Sequence, residues 1–159
     1  MTPDAVLRSM TEYLKELEEA KRLEVKVGLP ADKVGGQIYG KGQTIVSVGA
    51  AHEFGAGGMP ARSFLRMPHE MKKEDIKHAL NTQFEKIFLG QTSANVALGR
   101  IGVVAVNISR EAFKTQGFGQ WPALAESTKE IKKNAGKQNM LIWSGLLRNS
   151  ITWSVGDAS

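Results

Sequence analysis

The residues best suited to acid–base or nucleophilic chemistry fall close together, with His52 and Glu53 followed shortly by Ser63. As base, acid and nucleophile they would have to converge on one point, which neighbours in a chain rarely do. No nucleophile elbow, paired-carboxylate spacing or cofactor fingerprint accompanies them, so the chain is expected not to be an enzyme. The three histidines, His52, His69 and His78, lack the i, i+4 pairing that sets two ligands on one helical face, so no metal site is expected. Cysteine is absent, which excludes a disulfide framework, a thiolate zinc site and a cysteine nucleophile. The glycines at 35, 36, 40 and 42 do not form the Gly-x-x-x-x-Gly-Lys-Ser/Thr pattern of a phosphate loop. They suit a flexible connection or a hairpin instead, and no cofactor is expected.

The elements that must carry these residues follow from periodicity. Asp4 to Arg22 predicts a helix, with Val6, Leu7, Met10, Leu14 and Leu17 on one face turned to the core and charges elsewhere. Leu23 to Gly28 alternates apolar and polar residues, the pattern of a half-buried strand. Thr44 to Glu53 is ambiguous: its β-branched start suits a strand, and Val48 to Phe54 suits one or two helical turns. Met59-Pro60 and Met67-Pro68 frame an extended stretch, because a residue before proline leaves the helical region. Pro68 is expected at the first position of the next helix. Ile76, Leu80, Phe84 and Ile87 mark that helix, and Gly90 ends it. A second long helix is expected from about Ser93 to Lys114, the most buried of all. Gly99 and Gly102 weaken it by up to ~1 kcal/mol each relative to alanine unless close packing compensates. Trp121 to Asn139 reads as a polar loop with one helical turn, and Ser150 to Val155 as a C-terminal strand.

Composition bounds the rest. The chain has 159 residues, 42% hydrophobic and 23% charged, typical of one globular domain. Such a domain buries about two-thirds of its unfolded surface. The predicted architecture is a single α+β domain over residues 1–159: a small antiparallel sheet packed with an N-terminal helix and two long helices. No apolar run approaches a membrane span, the start is too polar for a signal peptide, and a cytoplasmic folding environment is expected. The net charge of +5 permits attraction to nucleic acid without requiring it. No alternation of aromatic and basic residues of the single-strand-binding type appears. A basic nucleic-acid-binding module is the alternative role.

Two stretches stand out beyond composition. One is Glu53-Phe54-Gly55 leading into Pro60-Ala61-Arg62-Ser63-Phe64-Leu65-Arg66. The other is Leu141-Ile142-Trp143-Ser144-Gly145-Leu146-Leu147-Arg148-Asn149-Ser150-Ile151, preceded by Ser127-Thr128 and Lys132. In this order they resemble the signatures of tailed-bacteriophage virion morphogenesis proteins, the neck, tail-completion or minor-tail-protein-Z-like family. The likeness covers about Ala51 to Val155. Family members often carry Pro-Leu and an Asp-Thr-Gly-like tripeptide where this chain has Met140 to Gly145, a departure confined to that loop.

The resemblance implies a non-enzymatic structural protein of the head–tail junction. It would form or join a ring of roughly six or twelve copies around the DNA passage. Implied partners are further copies of itself, connector or head-closure proteins, and tail terminator or tail tube proteins. DNA would pass through the lumen without sequence-specific contact, and no membrane is involved. The expected location is the virion neck or tail, and the host cytoplasm during assembly. The candidate subunit-interface residues are Glu53, Phe54, Arg62, Phe64, Leu65, Arg66, Trp143, Arg148 and Trp153. Arg62 and Arg66 can contact carboxylates bidentately. Glu53 is either the partner of one of them across the glycine-rich turn or a solvated carboxylate. Phe64 and Leu65 seal the core or meet a neighbour, and the two tryptophans are open to the same pair of roles. Gly145 is expected to supply a backbone conformation that side chains forbid.

Overall fold

A computed structural model describes residues 3–40, 42–134 and 145–158. Helix α1 (Pro3–Arg22) runs into strand β1 (Leu23–Gly28), the short helix α2 (Ala31–Val34) and strands β2 (Ile38–Gly40) and β3 (Gln43–Thr44). Helices α3 (Ile45–Phe54), α4 (Arg66–Met71), α5 (Lys73–Phe88), α6 (Ala94–Lys114), α7 (Glu126–Asn134) and α8 (Leu146–Ser150) follow, and β4 (Thr152–Asp157) closes the chain. The fold is α+β, as the periodicity predicts. Strand β1 pairs with β4, and β2 forms an antiparallel hairpin with β3 that sets Ile38 opposite Thr44. Among the described residues no helix is long and apolar enough to cross a membrane.

The chain resolves into two compact units. The first comprises Met1–Lys26, Lys73–Ala105 and Trp153–Ser159. Tyr13, Ala20 and Leu23 pack there against buried Ile87, Ala94 and Ala97, and Tyr13 meets the Phe88 ring edge-on at 5.0 Å. Glu16 accepts the backbone N–H of Ala94 at 2.6 Å. That N–H stands at the start of α6, where no carbonyl within the helix can reach it. Helix α1 therefore docks through Tyr13, Glu16 and Ala20. The face predicted to be its core side is instead exposed, with Leu7, Met10 and Leu14 all open to solvent. Spacing alone finds an apolar stripe without saying what covers it.

Gly99 and Gly102 acquire their reason in the same unit. A Cβ on Gly102 would lie 2.8 Å from the Trp153 ring, and one on Gly99 would lie 2.9 Å from it. The indole lies on the bare backbone of α6, so close packing compensates for the poor helix propensity of the two glycines.

The second unit comprises Val27–Lys72 and Val106–Thr152. Its core holds Ile45, Val48, Phe64, Phe113, Leu147 and Ile151, all buried. Phe64 lies 5.2 Å from Phe113, whose ring meets Trp121 edge-on at 5.6 Å. The ambiguous segment resolves into helix from Ile45 onward. The Thr44 hydroxyl accepts the N–H of Ser47 at 3.2 Å, an N-cap that outweighs the β-branched start once Ile45 and Val48 are buried. Pro68 is the third residue of α4 rather than the first, and α7 runs for nine residues where the sequence suggests one turn. The closing strand begins at Thr152 instead of Ser150, because Leu146 to Ser150 form α8. Gly145 starts that helix with φ of 77°, the conformation expected of it.

Gly102→Ala should destabilise the protein by about 1–3 kcal/mol, since overpacking against Trp153 outweighs the helix-propensity gain of ~1 kcal/mol. Gly36, where an added Cβ would meet nothing within 4 Å, serves as control. Denaturant melts of Gly102→Ala and Gly36→Ala check this, and a stabilised Gly102→Ala would contradict it.

Candidate functional site

The two halves of the first resemblance-bearing stretch meet at the Glu53 carboxylate. Helix α3 carries Glu53 on its buried side, where the residue is 3% exposed. The chain then reverses at Gly55, which has φ of 79° and a backbone so close to Met59 that a Cβ would fall 2.9 Å from the carbonyl oxygen. A glycine is required there by both conformation and space. The backbone N–H of Arg62 returns to the carbonyl of His52 at 2.7 Å, laying Pro60 to Arg66 over the end of α3.

Five donors then converge on the carboxylate. Oε2 accepts the backbone N–H groups of Phe64 at 2.8 Å and Leu65 at 3.0 Å. Oε1 accepts the Ser63 hydroxyl at 2.7 Å, the Arg66 backbone N–H at 3.1 Å and the Arg66 Nε–H at 3.2 Å. Ser63 Oγ in turn accepts the N–H of Met67 at 2.9 Å. Pro68 has no N–H, and His69 donates to the carbonyl of Leu65 at 3.3 Å. Every backbone donor at the start of α4 is thus accounted for, which is what a buried helix end demands. A negative group at this end also meets the positive pole of the peptide dipoles.

Burial pushes the Glu53 carboxyl toward a higher pKa. The bonds from Ser63 and from the backbone of Arg66, Leu65 and Phe64 outweigh it and hold the group below its ordinary value. An ionised, saturated carboxylate has no free lone pair aimed at a substrate. Beside it, His52 is held below its ordinary pKa by burial and by the charge of Arg62, and its Nδ1 is buried without a partner among the described residues. The imidazole is thus neutral at pH 7. His52 and Ser63 do not form a base–nucleophile pair, because Ser63 Oγ spends its hydrogen on Glu53. A separate contact joins Ser109 Oγ to His69 Nε2 at 3.0 Å, but Ser109 is fully buried in the middle of α6. Among the described residues no three His, Cys, Asp or Glu side chains are grouped to hold a metal ion.

The remaining candidate residues separate by burial. Arg66, not Arg62, is the partner of Glu53. The Arg62 guanidinium is buried and donates to the carbonyls of Pro122 at 3.0 Å and Ala123 at 2.9 Å. Phe64 is fully buried, so it seals the core of this chain, and Leu65 is half-buried. Phe54 is 64% exposed, with the Arg66 guanidinium stacked 4.6 Å above its ring. Arg148 is half-buried and bonds Asn149 Oδ1 through Nε and Nη2. Trp153 packs on Gly99 and Gly102, and Trp143 lies outside the described residues. Trp121 belongs to the site as well, since its indole N–H donates to the carbonyl of Ser63 at 2.8 Å. No spacing in the sequence signals that bond, or the Arg62 bonds to Pro122 and Ala123, across some sixty residues.

Comparison with family models, with curated proteins and with solved structures gives no significant match.

Glu53→Gln keeps one carbonyl acceptor but turns an amide toward N–H donors, so it should cost about 3 kcal/mol, the range for orphaned groups near a buried charge. Acid should act in two stages. His52, depressed when folded, refuses a proton that the unfolded chain accepts below 6.5, so stability declines from there downward. Glu53, also depressed, contributes stability that is intact above 4.5 and is lost as pH falls through its lower folded value. Denaturant melts between about pH 8 and pH 3 check both stages, and Glu53→Gln should flatten only the lower one.

Proposed function

We propose that this chain is a non-enzymatic structural protein of a tailed-phage virion. It acts at the head–tail junction, as a neck or tail-completion component that forms or joins a ring around the DNA passage. The resemblance of Glu53 to Gly55, Pro60 to Arg66 and Leu141 to Ile151 supplies the role. One observation in the structure supports it further: the first two stretches form one platform around the buried Glu53 carboxylate, and among the exposed residues of that platform Phe54 and Arg66 stack on one another. A saturated carboxylate that stiffens a loop suits a protein whose task is to present a surface.

The surface so presented has interface character. An arginine stacked on an aromatic ring loses little side-chain freedom on binding, and both residue types are enriched at binding hot spots. The Arg66 side chain is 68% exposed beyond its Nε contact with Glu53, which leaves its far nitrogens directed to a carboxylate of a neighbour. Its expected counterparts are another copy of the chain, a connector or head-closure protein, or a tail terminator or tube protein. Glu53, Arg62 and Phe64 serve this surface from beneath.

Phe54→Ala should lower stability by no more than about 1 kcal/mol, because the contact it removes is exposed, and Arg66→Ala by about 1–2 kcal/mol, because it also removes one of the five donors to the buried Glu53 carboxylate. Both should leave heads and tails unjoined in lysates viewed by electron microscopy. Cryo-EM of intact particles should show several copies of the chain in the neck. Joined particles with either variant would sink the interface assignment, and a neck without density for this chain would sink the role itself.

A further inference from the structure

Helix α1 leaves an apolar stripe uncovered. Leu7 is 63%, Met10 58% and Leu14 56% exposed, and half-buried Leu17 continues the series. The steps of three, four and three are those of a two-helix seam, in which alternate apolar residues fit between those of a facing helix. Contiguous apolar surface of this kind on a folded chain marks a contact site. The opposite flank of the helix is already used by Tyr13, Glu16 and Ala20 within its own unit.

We propose that this stripe pairs with the same stripe of a second copy, with the two helices antiparallel. The occupant follows from the charges bordering the seam. One exposed row runs beside it: Asp4, Arg8, Thr11, Lys15, Glu18 and Arg22. Reversing that row sets Asp4 against Arg22 of the second copy, Arg8 against Glu18, and Thr11 against Lys15. Every opposition is attractive or neutral, and the two-fold axis repeats each one. The apolar row pairs Met10 with Leu14 and Leu7 with Leu17 about position 12, and the charged row pairs about position 13, so the two differ by an axial offset of about 3 Å, which long charged side chains span. A parallel pair would set each charge against its like. Antiparallel helices also oppose their dipoles favourably. Glu18 already bonds Lys21 within its own helix, but both side chains are about 70% exposed and free to exchange partners. An anionic lipid surface would need cations along the whole border, and acids stand at positions 4 and 18.

Such a pair is self-complementary and closes at two copies, so it does not by itself propagate a ring. It is separate from the Phe54–Arg66 surface, and either can fail without the other. A seam confined to one 20-residue helix is also small beside the ~800 Å² per partner of a standard interface. The dimer should therefore be weak and visible only at high protein concentration.

The absence of cysteine makes the test direct. Single variants Met10→Cys and Leu14→Cys, mixed under mild oxidation, should form the mixed disulfide several-fold faster than either forms its own. Glu19→Cys, on the far side of α1, should give little product. In sedimentation at high concentration, Arg8→Glu should shift the chain toward monomer, and Arg8→Glu with Glu18→Arg should restore the dimer. Leu7→Ser with Leu14→Ser should abolish it while leaving the melting temperature unchanged, since both leucines are exposed. Same-site disulfides outpacing the mixed one would overturn the antiparallel register. A wild-type chain that stays monomeric at every concentration, with no preferential cross-link, would overturn the pairing.

Discussion

One carboxylate holds the second unit together. Removing Glu53 from water is costly, and five hydrogen bonds make its burial favourable. Four of the five come from Ser63, Phe64, Leu65 and the Arg66 backbone, so satisfying the charge dictates the path of the loop. That path drops Phe64 into the core against Phe113 and sets the Ser63 carbonyl where the Trp121 indole can donate to it. It also leaves Arg62 nowhere to go but inward, toward the carbonyls of Pro122 and Ala123. Helix, loop and aromatic cluster are consequences of one electrostatic demand.

The charges nearby are arranged by the same logic. Arg62 is buried among carbonyl dipoles rather than beside a carboxylate, and burial lowers its pKa from the ordinary arginine value. Its charge and the burial of His52 keep that imidazole neutral. A neutral histidine next to a fixed carboxylate has the composition of an acid–base pair, but the carboxylate is engaged in holding backbone and the imidazole Nδ1 is buried. Only Arg66 serves both inside and outside, bonding Glu53 through Nε while its guanidinium lies over exposed Phe54. The interior network is thereby linked to the exposed Phe54–Arg66 surface.

The first unit is built on a different constraint, close approach. The Trp153 indole rests on a helix stripped of side chains at Gly99 and Gly102, and Glu16 ties α1 to the start of α6. These contacts use one flank of α1 and leave the apolar stripe outside. The outcome is a helix with one covered and one uncovered apolar side, a division that favours association.

Much of the backbone is legible in the order of residues. The bounds of α1, β1 and α6 follow from periodicity and from the residues that stop it, and the positive φ of Gly145 follows from the tight turn expected there. The Glu53 link to an arginine is open in the sequence as one of two readings, because glycines between the two invite a reversal. Which arginine takes part is not legible: Arg62 and Arg66 have the same chemistry, and only the fold directs one inward and the other outward. The helical state of Ile45 to Phe54 is equally hidden, since β-branched residues favour strand until a cap and burial on several sides outweigh them. The α1 stripe shows the limit most clearly. Periodicity is a property of one helix and burial is a property of two surfaces. The order of residues therefore establishes that the stripe exists, and packing alone settles that no described residue of the chain's own unit covers it.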